Sequence, residues 1–300
     1  MRLVLIRAML ILSILLLASG CEQQPETTPA VGALPDLATQ SKPQQSVENA
    51  AQTTTTVYVP PRKIEIDPNK KLIFDNAHKE VFTPLSKAQV GYSIVDDMFK
   101  RYGYATSISD KVLTPAILAE LDAVVIAGPM EFFSEQEVND LVAFVNDGGD
   151  LLITLHLGDS VAALVERFGM QISSSVIAQA HDTFEGNPKW FITNNIAPGP
   201  LTEGVTSVAV QASWGLRAAA DNAEMVVLSA PDSWADVVPD DVYDRKEPVA
   251  AYGLVGVATH GKGRVVVVAD DAVLTNKTIE MAGNRRLLEN ILIWFEESKK

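Results

Sequence analysis

The feature that most constrains the fold is an alternation of short apolar strands with amphipathic helices along most of the chain. Leu72-Ile73-Phe74 is typical of a buried strand, and apolar residues at helical spacing follow over residues 86–102. Residues 123–127 and 151–155 are two further predicted strands, and the helix between them begins at Ser134 with a capping-box sequence. Strands that alternate with helices predict an α/β domain with a mostly parallel sheet between two layers of helices.

The second half of this domain has a different pattern. Residues 171–250 carry turn residues and short β-like runs, which predict strands and loops that extend the sheet or cap its edge. Residues 249–258 and 264–269 predict a hairpin, and residues 284–295 predict a last helix. We therefore expect one α/β domain over residues 69–300.

The N-terminus has the order of a secretory signal, which is positive, then apolar, then small. Arg2 and Arg7 precede an apolar run over residues 8–17, which is shorter than the roughly 20 residues of a bilayer span. The segment Leu17-Ala18-Ser19-Gly20-Cys21 resembles the bacterial lipobox, in which the cysteine is acylated and begins the mature protein. Residues 1–20 are then a lipoprotein signal peptide. The alternatives are an ordinary signal peptide with a chance cysteine, or an uncleaved anchor.

Lipid on Cys21 would hold the protein on a membrane outside the cytoplasm. Two or three acyl chains bind a membrane firmly, whereas a single chain binds only marginally. Glu22 after the cysteine resembles an outer-membrane sorting signal, which predicts the periplasmic face of the outer membrane if the host is Gram-negative. Because Cys21 is the only cysteine of the sequence, its modification leaves no thiol for a disulfide, a metal ion or catalysis.

Residues 21–68 differ in composition from the domain that follows. They are rich in Pro, Thr, Gln and Ser and poor in aliphatic side chains. Such a segment buries too little apolar surface to offset its ordering entropy, so we expect a disordered tether between the lipid and the domain.

The charge of the chain restricts its partners. Loss of Arg2 and Arg7 with the signal peptide, which contains no acidic residue, changes the formal net charge from −14 to −16. A surface of this sign repels nucleic acid, so nucleic acid is not expected among the partners.

Three segments occur together in an order that matches a known family. They are Leu72-Ile73-Phe74-Asp75-Asn76-Ala77-His78, Gly148-Gly149-Asp150-Leu151-Leu152-Ile153 and Gly261-Lys262-Gly263-Arg264-Val265-Val266-Val267, the last continuing into Ala269-Asp270-Asp271 and Leu274-Thr275-Asn276. Together they resemble the class I glutamine amidotransferase-like fold and, within it, a group of ThuA-like bacterial domains. The resemblance covers residues 70–300 and implies a flavodoxin-like three-layer sandwich.

The chain departs from the active amidotransferases of this fold at the catalytic positions. Those enzymes carry a cysteine after a central strand, often as Cys-Leu-Gly, whereas this chain has His156-Leu157-Gly158. Their His-x-Glu pair near the C-terminus is also missing, and Asp270-Asp271 and Asn276 stand there instead. A thiolate nucleophile requires a thiol, so these residues exclude glutaminase activity.

Polar residues that follow three of the predicted strands form the candidate site. Parallel strands end at one edge of a sheet, where ligands bind in open α/β folds. The candidates for a ligand pocket are Asp75, Asn76, His78, His156, Asp159, Asp270, Asp271 and Asn276. Carboxylates and imidazoles can bind a divalent metal ion or transfer protons. The simpler alternative is that Asp75 and His78 cap a turn, His156 fills the space of the absent cysteine, and Asp270 binds loop amides.

Histidine spacing gives little support to a metal centre. Neither His-x-His nor His-x-x-x-His occurs, so no cofactor is assigned, and a divalent metal ion remains a candidate.

Two functions are compatible with these residues. The first is a non-catalytic ligand-binding or complex-assembly module, tethered to the membrane and serving an envelope protein complex. Related domains of the broad superfamily are parts of transport-associated membrane complexes, so the resemblance implies such a partner. The alternative is an envelope hydrolase or sugar-modifying enzyme that uses an Asp/His pocket, with or without a metal ion.

Overall fold

The computed structural model describes residues 60–156 and 160–297. The described residues group into one compact unit. The predicted signal peptide, Cys21 and most of the predicted tether lie outside the described residues, as does Asp159. None of the helices in the described ranges is long and apolar enough to span a bilayer.

The elements alternate as the sequence predicts in the first half and become mainly strands in the second. The helices are α1 (Ser93–Arg101), α2 (Pro115–Leu118), α3 (Glu135–Asn146), α4 (Ala162–Arg167) and α5 (Asn284–Glu297). The strands are β1 (Lys70–Asp75), β2 (Tyr104–Ser109), β3 (Ala123–Ala127), β4 (Asp150–Thr154), β5 (Met170–Ala178), β6 (Thr183–Phe184), β7 (Asn187–Thr193), β8 (Asn195–Ile196), β9 (Val208–Gln211), β10 (Trp214–Ala218), β11 (Ala223–Leu228), β12 (Trp234–Ala235), β13 (Gly253–His260) and β14 (Gly263–Val268). Short 3-10 helices cover Pro200–Thr202 and Asp271–Leu274.

One large sheet organises the domain. Within the described residues it joins eleven strands, in the order β12-β5-β10-β13-β14-β4-β3-β1-β2, with β11 paired to β13 and β8 paired to β11. A smaller sheet in the same ranges has the order β6-β7-β9. Residues 171–250 thus supply both the extension of the main sheet and a separate small sheet.

The main sheet is mixed rather than mostly parallel. Strands β2, β1, β3, β4 and β14 run parallel to one another. From β14 through β13, β10, β5 and β12, the pairings are antiparallel. The predicted parallel sheet is therefore found in one half only. The two-residue connection between β13 and β14 reverses the chain, and a connection of that length permits only antiparallel pairing.

Helices cover both faces of the parallel half. Successive strand residues point to opposite faces, so Leu72 and Phe74 pack in one apolar cluster while Ile73 packs in the other. The first cluster includes buried residues of α1 and α5, and the second includes buried residues of α2, α3 and α4. The chain is thus a mixed α/β domain with helices on both sides of its sheet.

The residues just before β1 contact the domain. Arg62 forms ion pairs with Glu203 at 3.0 Å and with Glu297 at 2.6 Å. Arg286 donates a hydrogen bond to the carbonyl of Pro60 at 3.2 Å. Residues that precede Asn69 in the chain therefore already contact the domain. The domain boundary at residue 69, which rests on composition, stays a prediction.

Candidate functional site

The candidate residues lie where the parallel strands end. Strand β1 ends at Asp75, β4 is followed by His156, and β14 is followed by Asp270 and Asp271. Because these strands are parallel, their carboxyl ends share one edge of the sheet, which is where ligands bind in open α/β folds. The side chains form two clusters along that edge.

The first cluster surrounds His78, which lies in the loop after β1. Its Nδ1 atom lies 2.6 Å from Oδ2 of Asp75, and its Nε2 atom lies 3.0 Å from Oε1 of Glu137. The amide of His78 donates to Oε2 of Glu80 at 3.1 Å. The ring of Phe133 stacks on the imidazole, with 3.6 Å between ring centroids. We call Asp75, His78, Glu80 and Glu137 the His78 cluster.

Two of these residues belong to local motifs that hold them in place. Glu137 completes the capping box at the start of α3, where its Oε2 atom accepts a hydrogen bond from the amide of Ser134 at 2.8 Å. Its other oxygen remains for His78, so the helix cap also fixes the imidazole. The amide of Ala77 donates to Oδ1 of Asp75 at 3.3 Å, which turns the chain after β1 and leaves Oδ2 for the histidine.

Burial sets the protonation of the His78 cluster. It raises the pKa of Glu80 to about 8, and the neighbouring Asp75 adds to that shift. Burial lowers the pKa of His78, but the hydrogen bond and charge of Asp75, with the charges of Glu137 and Glu80, leave it above its ordinary value. Burial also raises the pKa of Glu137, but hydrogen bonds from Ser134 and the charge of His78 leave it below its ordinary value. The cluster therefore favours a proton on Glu80 at neutral pH, and it shifts the pKa of His78 upward.

The second cluster is the pair of His156 and Asp271. Nδ1 of His156 lies 2.7 Å from Oδ2 of Asp271, and the histidine side chain is 26% exposed while the aspartate is 7% exposed. Phe82 presents an edge-to-face contact to the imidazole at 6.2 Å between centroids. The indole of Trp214 donates to the carbonyl of His156 at 2.6 Å, which holds the backbone of this residue. The imidazole is therefore fixed on one side and accessible on the other.

Buried hydrogen bonds position the backbone around Asp271. The hydroxyl of Tyr92 donates to the Asp271 carbonyl at 2.5 Å and lies 3.2 Å from Oγ1 of Thr154. Asp270 turns away from the pair, because its Oδ1 atom accepts from the amide of Ala272 at 2.9 Å and its Oδ2 atom accepts from the amide of Gln211. Burial holds the pKa of Asp270 well above its ordinary value, and the nearby Asp271 adds to this. Asp270 thus ties the loop after β14 to strand β9.

The electrostatics of the pair favour a protonated imidazole. The hydrogen bond with Asp271 raises the pKa of His156, against the opposing effect of burial. Burial raises the pKa of Asp271, and the facing histidine opposes that shift. The pair therefore retains its proton to a higher pH than an ordinary histidine does, and it can present an N–H donor at Nε2 of His156.

The remaining candidates support loops. Asn276 donates to the carbonyls of Ser86 at 3.1 Å and Ala88 at 2.8 Å and accepts from the amide of Ile94 at 3.0 Å. Asn76 donates to Oδ1 of Asp110 at 2.6 Å. These contacts join the loop after β1 to distant parts of the chain, and neither asparagine belongs to the two clusters.

The structure therefore brings the predicted residues that it describes to one edge of the sheet but divides them. Asp75 joins His78, and His156 joins Asp271, whereas Asp270 and the two asparagines serve the backbone. Among the described residues, no side-chain hydrogen bond or ion pair connects the His78 cluster with the His156–Asp271 pair. Sequence reasoning missed Glu80, although the spacing Asp-x-x-His-x-Glu over residues 75–80 is visible in the chain. It used Glu137 only as a helix signal.

Comparison with known proteins gives a family and a fold. No curated protein sequence matches the chain. The N-terminal domain described as mmIFT52 superposes with a TM-score of 0.63 at 16% identity, covering 76% of this chain and 97% of that one. At this identity the likeness shows a shared fold alone.

Two further solved structures are more distant. A ThuA-like protein from Bacteroides uniformis has a TM-score of 0.48 at 11% identity, with 79% of this chain and 95% of that one covered. A protein from Thermoplasma acidophilum, described as one of the subunits of GMP synthase, has a TM-score of 0.44 at 10% identity, with 77% and 97% covered. The family with the description "domain of unknown function (DUF4350)" matches residues 84–292, which is most of the chain. The chain belongs to the DUF4350 family.

Proposed function

We propose that this protein is a lipid-anchored extracytoplasmic lipoprotein whose domain serves as a ligand-binding or complex-assembly module. Its domain is a flavodoxin-like, class I glutamine amidotransferase-like sandwich that lacks the catalytic cysteine of the transferases. The parallel half of the sheet, with helices on both faces, supports this description of the fold.

The observation that carries the proposal is the pair of His156 and Asp271. His156 follows β4, at the position where the family resemblance places a cysteine nucleophile. Its Nδ1 atom is held by Asp271 at 2.7 Å, so an oriented hydrogen-bond donor occupies that position. Such a group recognises an acceptor or an anionic group on a ligand without forming a covalent intermediate.

The surroundings of His156 are suited to contact with another molecule. The amide of Val81 donates to the carbonyl of Gly128, and the amide of Met130 donates to the carbonyl of His78, so the loops after β1 and β3 lie side by side. These loops expose the apolar side chains of Val81, Met130 and Phe132, the last at 71%. Exposed apolar side chains around a charged centre are typical of protein interfaces, which supports an envelope protein as partner.

The N-terminal sequence supports the cellular setting of the proposal. The lipobox-like segment that ends at Cys21 would supply the membrane anchor, and residues 21–68 would supply the tether. Glu22 favours the periplasmic face of the outer membrane in a Gram-negative host. The net charge of −16 after signal removal argues against nucleic acid as a partner.

Site-specific photo-cross-linking in intact cells tests the binding function. A photoreactive residue in place of Phe132 would lie on the loop after β3. The same photoreactive residue in place of Lys262 would lie in the turn between β13 and β14, next to the N-terminal end of β14. Both positions are exposed, so they match as probes. We expect a discrete cross-linked product from position 132 and none from position 262. The absence of a product from position 132, or identical products from both positions, contradicts the proposal.

A second candidate function rests on the same pair. A histidine oriented by an aspartate is the arrangement of a general base, so an envelope hydrolase or sugar-modifying enzyme is the alternative. It would use Asp75, His78, His156 and Asp271, with or without a metal ion. Turnover of chromogenic esters or glycosides that His156→Ala abolishes would favour this enzyme over the binding module.

A further inference from the structure

Three potential metal ligands lie together in the His78 cluster. Asp75, His78 and Glu80 each offer one ligand atom, and these three atoms all lie within 4.8 Å of one another. Nδ1 of His78 lies 2.6 Å from Oδ2 of Asp75 and 3.9 Å from Oε1 of Glu80. Their side chains are 1%, 7% and 0% exposed. Three ionisable groups so close together and so completely buried require compensation of their charge.

One oxygen of the cluster is left without a hydrogen bond. Oε1 of Glu80 accepts none from the described residues, although Oε2 of the same carboxylate accepts from the amide of His78. This oxygen lies 3.9 Å from Nδ1 of His78, too far for a hydrogen bond. Asp75 is the other neighbour, and two carboxyl groups pair with each other only through a proton. The buried oxygen therefore faces a position that suits either a proton or a cation.

We propose that Asp75, His78 and Glu80 form a binding site for a divalent transition-metal ion, with Zn²⁺ as the preferred ion and Mn²⁺ as the next. The ligand atoms are Oδ2 of Asp75, Nδ1 of His78 and Oε1 of Glu80. One imidazole and two carboxylates are a ligand set that these ions accept, whereas Ca²⁺ and Mg²⁺ prefer oxygen ligands alone. The two carboxylates balance the double positive charge of the ion.

Glu137 prepares the histidine for this role. A metal-binding histidine usually donates its second ring N–H to a carboxylate, which fixes the tautomer and the ring orientation. Nε2 of His78 lies 3.0 Å from Oε1 of Glu137, so an N–H on Nε2 leaves the lone pair of Nδ1 free for the ion. Glu137 is itself held by the capping box with Ser134. A positioning carboxylate is therefore already present in the chain.

The surroundings close the site. Phe133 stacks on the His78 ring, and a cavity of about 10 Å³ borders Asp75, His78 and Glu137, about the volume that one water molecule needs. An ion enclosed in this way would join the end of β1, the following loop and the start of α3. Its role is structural, and it does not depend on the binding function proposed for His156.

Metal titration of the purified full chain after chelator treatment tests the site. We expect isothermal titration with ZnCl₂ to show one ion bound per chain, and elemental analysis to find one bound Zn²⁺. Glu80→Gln should lower the affinity at least about 100-fold through the loss of a ligand. Glu137→Gln should lower it about 10- to 100-fold through the loss of the positioning carboxylate.

A matched control keeps the test specific. Glu131→Gln changes an exposed glutamate on the adjacent loop, where it pairs with Lys79 at 2.6 Å, and should leave the affinity unchanged. Failure of the wild-type chain to bind Zn²⁺ or Mn²⁺ would overturn the proposal whatever the variants do. Binding that survives both Glu80→Gln and Glu137→Gln would also overturn it, because the ion would then lie elsewhere.

Discussion

Gly128 and Asp271 approach each other so closely that a Cβ atom on residue 128 would lie 2.4 Å from Oδ2 of Asp271. The same Cβ atom would lie 3.4 Å from Cβ of His156. The backbone at Gly128 also has a φ of +72°, which residues with a Cβ atom adopt at a cost. The glycine after β3 therefore makes room for the pair of His156 and Asp271.

This relationship predicts that Gly128→Ala is more destabilising than a matched glycine substitution. Gly186 has a φ of +71° and nothing within 4 Å of an added Cβ atom, so Gly186→Ala measures the backbone cost alone. That cost is about 1–2 kcal/mol. Gly128→Ala should add about 1–3 kcal/mol from overpacking against Asp271. Urea unfolding of both variants checks the difference, and equal losses of stability would contradict the close approach.

The second prediction concerns the pH dependence of the metal-free protein. Folding raises the pKa of Glu80 from 4.5 to about 8, so the folded state holds more protons than the unfolded state between these values. The contribution of the raised Glu80 pKa to the free energy of unfolding is fully present below pH 4.5, and it is lost as the pH rises through about 8. The raised pKa of His78 acts in the same direction above its ordinary value of 6.5. The free energy of unfolding should therefore fall as the pH rises from about 5 to about 9.

Glu80→Gln separates the contribution of Glu80 to this pH dependence from that of the other titratable groups. With chelator present, this variant should be more stable than the wild type at about pH 8.5, and the difference should shrink at about pH 5. The neutral amide avoids the cost of ionising a buried carboxylate. Urea unfolding at several pH values measures this, with Glu131→Gln as an exposed control. A wild type that gains stability relative to Glu80→Gln as the pH rises would show that the sign is wrong.

The third prediction concerns the membrane anchor. If Cys21 is the anchor that we propose, Cys21→Ser should prevent acylation and leave an uncleaved precursor, because the cysteine of a bacterial lipobox both carries the lipid and marks the cleavage point. Metabolic labelling with radioactive palmitate, with gel mobility and membrane fractionation, measures these outcomes. Unchanged membrane retention together with an unchanged mature size would show that Cys21 is not the anchor.

The parallel half of the fold was predictable because its strands carry their own signals. The five residues of β3 and of β4 are all buried, and such short apolar runs bounded by turn residues indicate a central strand. The hairpin of β13 and β14 was predictable from its turn and is confirmed by the register His260↔Gly263. Strand β5 has a mixed burial pattern, so its place beside β10 depends on distant residues that a local pattern does not contain.

The site was predictable only to the level of the sheet edge. Strand order places Asp75, His156 and Asp270 at that edge, but it does not determine which way each side chain turns. Asp270 turns to backbone amides because both of its oxygens are buried and need donors. Glu137 was recognised only as part of a helix cap, since a local motif accounts for one of its oxygens and gives no indication of what the other contacts.

The dependence of the Phe132 cross-link on His156 is a direct test of the binding function proposed for the His156–Asp271 pair. His156→Ala removes the hydrogen-bond donor proposed for ligand recognition, so the yield of the cross-linked product should fall at least about tenfold in protein that remains folded. His181→Ala is the matched control, because His181 is an exposed histidine that pairs with Asp182 at 2.8 Å and with Asp232 at 3.0 Å. This control should leave the yield unchanged. An undiminished cross-link in His156→Ala would contradict the account.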